Sequence, residues 1–144
     1  MVHFEVTADT FANILDGGRI DMTRGIFSSN VSDGLGGALE ITGSTGTAMV
    51  SNTQFLGNDA EYGGGMHVAG SPNLNFRASK LVATGNSAAL DGGGIDFSGD
   101  ANLELLNPQI RSNVAGNRGG GVDGIPGTLP GVTGNFAPTG PNIG

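Results

Sequence analysis

Five titratable side chains recur at one place in a repeated pattern. Asp21, Glu40, His67, Asp96 and Asp123 each follow an apolar residue and stand two or three places after a pair of glycines. If the units stack, four carboxylates and one imidazole fall in a line on one face. Carboxylate oxygens suit a hard cation, so Asp21, Glu40, Asp96 and Asp123 are candidate Ca²⁺ ligands, and a polar stripe of this kind also suits a glycan. A plainer reading fits equally: these are solvent-facing strand positions kept charged to discourage sticking. Like charges stacked on an exposed face repel only modestly. Apart from that Ca²⁺, no cofactor is implied.

Catalysis needs more than a stripe of acids. Acid–base cleavage of polysaccharides takes paired acids across a cleft, or a basic residue beside a cation-bound substrate. The chain has six Lys and Arg, and Arg77-Ala78-Ser79-Lys80 is the one close pair. Gly-His-Gly and Arg-x-Lys are both absent, and neither His3 nor His67 has a catalytic partner nearby in sequence. The chain is therefore expected not to be an enzyme, with a carbohydrate-active one as the rival. Gly17-Gly18, Gly92 to Gly94 and Gly119 to Gly121 lack the Lys-Ser/Thr ending of a phosphate loop. Tyr62, the single Tyr, fits packing as well as binding.

The elements that would position these residues follow from the repeat. Glycine pairs occur at Gly17-Gly18, Gly36-Gly37, Gly64-Gly65, Gly93-Gly94 and Gly120-Gly121. Upstream of the last four stand an apolar residue and an Asn: Phe27 with Asn30, Phe55 with Asn58, Val82 with Asn86, Ile110 with Asn113. The four Asn fall 28, 28 and 27 residues apart. Leu39, Ile41, Val68, Ile95 and Phe97 alternate with polar residues, which marks strands with one buried face. A second pair per unit repeats the alternation: Thr47 and Met49, Leu74 and Phe76, Leu103 and Leu105. Phe55, Val82 and Ile110 mark a third strand, and Thr42-Gly43, Ala69-Gly70 and Ser98-Gly99 read as turns. No stretch sustains a helical period. Three short strands per unit without helices describe an all-β fold, a right-handed single-stranded parallel β-helix of about five coils. Asn30, Asn58, Asn86 and Asn113 then form a stacked amide ladder. Asn30-Val31-Ser32 matches a glycosylation pattern, but a ladder position takes precedence.

Length and charge bound the rest. A chain of 144 residues makes one domain. Residues 1–124 read as the β-helix, with 1–16 as an N-terminal cap and 17–124 as coils, the first unit being short. Residues 125–144 contain four Pro and no charge, so a continuing coil is not expected there. This tail reads as a linker or as a docking arm carried by Val132, Phe136 and Ile143. A net charge of -7 argues against nucleic acid or an anionic membrane as partner. No apolar run is long enough to span a membrane as a helix, and the first twenty residues do not read as a signal peptide. The absence of Cys excludes disulfides and thiolate metal sites.

Phe27-Ser28-Ser29-Asn30 followed by Gly36-Gly37-Ala38-Leu39 resembles the FxxN and GGA[ILV] signature of chlamydial polymorphic outer-membrane protein repeats. Phe55-Leu56-Gly57-Asn58 matches FxxN again, while Gly63 to Met66, Gly92 to Ile95 and Gly119 to Val122 keep the glycines and replace Ala. The resemblance covers roughly residues 11 to 124 and implies a right-handed β-helix on a bacterial cell surface or outside the cell. The expected function is a structural or adhesive module without catalysis, whose partner is a host or surface protein or a glycan. An alternative is a filament subunit that binds copies of itself end to end.

Overall fold

In the computed structural model the period-two bursts become stacked parallel strands, a parallel β-solenoid of about four turns with three parallel sheets. The five glycine pairs predict about five coils, one more than the about four turns observed. The structure describes residues 4–6, 10–14, 18–125, 129–140 and 142–143, with side chains from residue 18 onward. Val2, His3 and Gly17, part of the expected cap and first glycine pair, lie outside the described residues.

One sheet stacks Phe4–Val6, Gly25–Ser28, Gln54–Leu56, Val82–Thr84, Gln109–Arg111 and Val132–Thr133. A narrow second sheet stacks Asp59–Ala60, Ser87–Ala88 and Val114–Ala115. The widest sheet is built on two long strands, Leu39–Ser51 and Met66–Ser79, which run on past the turns expected at Thr42-Gly43 and Ala69-Gly70 with one register shift between Gly43 and Thr45. Thr10–Ile14 and Arg19–Thr23 lie on one side of this pair. Ile95–Gly99, Asn102–Leu106 and Val122–Asp123 lie on the other. Thus the expected first and middle strands share one sheet, and the narrow second sheet is the short segment after Asn58, Asn86 and Asn113.

Leu39, Ile41, Val68, Ile95 and Phe97 all point inward and are buried, as the alternation requires. Each such side chain contributes about 1.5–3 kcal/mol by leaving water. Phe27 stacks on Phe55 with ring centroids 5.0 Å apart. Three inward assignments change. Ala48 and Val50 are buried instead of Thr47 and Met49, because the register shifts between Gly43 and Thr45. Ala83 replaces Val82, since the ladder pairs Phe55 with Ala83. Leu103 and Leu105 stack on Phe76 and Ala78 and are only half-buried. A corner two residues shorter than that of the preceding turn slides this strand along its neighbour.

The short first unit counted from the first glycine pair is also corrected. Arg19–Thr23 pairs with Thr47–Ser51, and the strand that pairs with Leu39–Gly43 is Thr10–Ile14. The first turn therefore has its middle strand.

The tail does continue the coil, contrary to expectation. Val132 is buried on Ile110, and Phe136, Thr139 and Ile143 bridge to Val114, Arg118 and Val122. Rungs need donors only at some positions. Val122 donates to the Asn142 carbonyl, while the Phe136 and Thr139 amides donate to Asn113 and Asn117. Pro130 and Pro138 fall between the donating residues, so the missing N–H groups cost no ladder bond. Ile125 and Leu129 pack against the core where Leu103 and Leu105 are half-covered. The arm docks on its own chain: Val132 is sealed in, Ile143 is half-buried, and Phe136 remains 64% exposed.

Candidate functional site

Two buried polar columns run along the solenoid. In the first, the Asn30 backbone N–H and Nδ2 both donate to Asn58 Oδ1, at 3.0 and 2.8 Å. Asn58 does the same to Asn86, Asn86 to Asn113, and Asn113 to Asn135. Each Nδ2 from Asn58 onward also donates to the carbonyl three residues before the preceding rung's Asn. Asn135, an echo of the pattern in the tail, is a full rung, and Asn142 Oδ1 ends the series by accepting from it. With its amide thus occupied and 1% exposed, Asn30 is closed to glycosylation.

The second column holds the charged candidates. Glu40, His67, Asp96 and Asp123 stand in register on successive rungs. Asp21 does not join them. Its rung partner is Met49, and the strand position below Glu40 is Phe11. Asp21 instead pairs with Arg19 on an exposed face. The expectation of a solvent-facing column fails as well, for His67, Asp96 and Asp123 are 3%, 4% and 5% exposed. Glu40 is half-buried.

The glycine corner explains this burial. Leu35, Tyr62, Asp91 and Arg118 precede Gly36, Gly63, Gly92 and Gly119, all of which have φ between 57° and 65°. L side chains rarely adopt that backbone. A Cβ on Gly64 would also run into the carbonyl oxygens of Ser87 and Gly93. The tight corner folds the residue before it back over the residue five places on. Arg118 accordingly reaches Asp123 at 3.4 Å, and Leu35, Tyr62, Asp91 and Arg118 form a second wall. Between the walls lies a cleft of about 540 Å³, lined also by Ala69, Phe97, Ser98 and Gly124.

Inside it the carboxylates are partnered. Asp91 accepts from Asn117 Nδ2, from the Arg118 backbone N–H and from the Arg118 guanidinium. That hydrogen bond with Asp91, together with the charge of Asp123, raises the Arg118 pKa further above its ordinary value. Burial pushes the Asp123 carboxyl above the usual carboxylate range, and the charges of Asp96 and Asp91 add to the effect while Arg118 opposes it. Asp123 Oδ1 is buried and has no partner among the described residues. Nor, among these residues, do three His, Asp or Glu side chains converge where a cation would sit.

One grouping was missed in the sequence. His67 Nδ1 lies 2.8 Å from Asp96 Oδ2, and Ser98 Oγ lies 3.3 Å from His67 Nε2. In the neutral tautomer whose Nδ1–H donates to Asp96, Nε2 is left as the acceptor for the Ser98 hydroxyl. Asp96 and Ser98 share a strand face two residues apart, and His67 sits across from Asp96 on the adjacent strand. The signal was available: the rung spacing sets His67 beside Asp96, and Ser98 is two places further on. Reading Ser98-Gly99 as a turn hid it. No family model, curated protein or solved structure matches this chain.

Proposed function

We propose that this chain is a structural or adhesive module of a bacterial cell surface or the extracellular space, a stiff rod that presents its outer faces to a surface protein or a glycan. The observation that carries the reading is the unbroken Asn ladder, which ties every turn to the next through buried amide hydrogen bonds. Bonds of this kind are costly to break singly, because each loss leaves a buried donor without a partner. The FxxN and GGA[ILV] likeness of Phe27 to Leu39 to surface-protein repeats supports the location. End-to-end assembly has less support, since Asn142 takes the ladder's terminal donors within the same chain. The test is protease shaving of intact cells that carry the protein, combined with limited proteolysis of the pure chain. The reading expects release of this chain from whole cells and resistance of the isolated solenoid. A chain that is protected in intact cells and cut readily once purified would overturn it.

A further inference from the structure

Ser98, His67 and Asp96 have the arrangement of an acyl-transfer triad, and the cleft around them has the asymmetry such a site needs. The His67 and Asp96 side chains are 4% and 6% exposed, whereas Ser98 is exposed at the cleft mouth. A base shielded from water and held by its carboxylate keeps one tautomer, while the nucleophile stays open to substrate. We propose that the cleft is a hydrolytic site for short-chain esters of polyhydroxy alcohols such as acylated sugars, with Ser98 as nucleophile, His67 as general base and acid, and Asp96 as the residue that orients His67.

Ser98 Oγ attacks the ester carbonyl carbon as its proton passes to His67 Nε2. The tetrahedral intermediate collapses, the bond to the alcohol oxygen breaks, and Nε2 returns the proton to that oxygen. Water, deprotonated by the same nitrogen, then attacks the acyl-Ser98 ester and releases the carboxylic acid with Ser98 restored. The backbone supplies a donor for the oxyanion. Along Ile95–Gly99 the amides alternate between the two edges. Ile95 donates to Gly121 on one side and Asp100 to Gly70 on the other. The strand Val122–Asp123 stops opposite Asp96. The Gly99 N–H, next in the chain after Ser98, therefore faces an edge with no acceptor among the described residues.

The substrate class follows from the lining. Leu35, Tyr62 and Ala69 offer apolar contact for a short acyl chain. Asp91 and Asp123 share one cation, so the cleft disfavours an anionic ester. Asp123 Oδ1, buried and unpartnered among the described residues, is an acceptor for a hydroxyl of the alcohol.

The experiment uses the whole chain with a fluorophosphonate probe, p-nitrophenyl acetate and a monoacetylated glucose. Intact-mass and peptide analysis should find one adduct, on Ser98, and both esters should be hydrolysed. Ser98→Ala, at an exposed position, should keep the fold and lose adduct and turnover. His67→Gln should lower labelling of Ser98 by at least about a hundredfold. Asp123→Ala should raise KM for the acetylated glucose by a larger factor than KM for p-nitrophenyl acetate. An unlabelled Ser98, or a Ser98→Ala protein that hydrolyses as the parent does, overturns the proposal. So does labelling that persists at the parent rate in folded His67→Gln. If His67→Gln fails to fold, the Ser98→Ala comparison decides alone.

Discussion

The two buried columns use the same device to opposite ends. In the Asn column every rung carries the same residue, and each side chain from Asn58 to Asn135 both gives to and receives from its neighbours. The column is neutral and closed, and among the described residues only Asn30 Oδ1 at its first rung lacks a partner, so it serves the fold. In the cleft column each rung carries a different residue, Glu40, His67, Asp96 and Asp123. Stacking there brings unlike groups together and leaves one buried oxygen unpartnered. Repetition of one residue builds a strut, whereas variation on the same lattice builds a site.

The comparison is broken most severely in the middle of the ladder. Asn86→Ala removes the acceptor of the Asn58 N–H and Nδ2 and the donors to Phe55 O and Asn113 Oδ1. At about 1–3 kcal/mol for each stranded buried group, the loss should reach about 3–6 kcal/mol in urea unfolding. An Asn86→Ala protein as stable as the parent would mean that the ladder is incidental.

Asp96→Ala should cost less, about 1–3 kcal/mol, because it strands His67 Nδ1 alone. For a solvent-facing Asp96 the expected cost is within about half a kcal/mol. Chemical denaturation therefore distinguishes a buried column from an exposed one.

At the end of the ladder the effect shrinks again. Asn142→Ala removes a half-buried acceptor whose bonds to Asn135 are 3.2 and 3.3 Å long. A loss of about 0.5–1.5 kcal/mol is expected. Hydrogen exchange should show it as faster opening of residues 129–143 alone. Uniform acceleration along the chain would show instead that the last turn is not a separable unit.

The smallest effect has the opposite sign. The Asp123 pKa is raised in the folded chain, chiefly by burial. The folded state therefore holds the proton more tightly than the unfolded one, and stability falls as pH rises from the ordinary carboxylate range through the folded pKa. Asp123→Asn removes this penalty. It should raise the melting temperature slightly at neutral pH and leave it nearly unchanged in acid, below both pKa values. A lower melting temperature at neutral pH would show that the ion pair with Arg118 outweighs the burial cost.

How much of this was legible depends on whether a feature repeats. The Asn ladder was visible because Asn30, Asn58, Asn86 and Asn113 return at a nearly constant interval, and Leu39, Ile41, Val68, Ile95 and Phe97 were legible from alternation alone. Features that depend on what lies beside a rung were not. Burial of His67, Asp96 and Asp123 comes from the corner residues Leu35, Tyr62, Asp91 and Arg118, which fold back over the column in a way that strand alternation does not encode. Asp21 was misplaced because its strand pairs with Thr47–Ser51 and not with Leu39–Gly43.

The sequence by itself determined the solenoid: its period, its ladder and the inward face of most strands, since these rest on local alternation and on the backbone freedom of glycine at the corners. Only the tertiary structure decided the register between turns. Rung spacing is 27 residues from Leu39 to Met66, 28 from Thr45 to Asn73, 29 from Met66 to Ile95 and 27 from Asn75 to Asn102. Each corner that gains or loses a residue slides the following strand along its neighbour. Three-dimensional stacking therefore sets which side chains touch, and it turns the column neighbours His67 and Asp96, with Ser98, into one hydrogen-bonded group across 29 and 31 residues of chain.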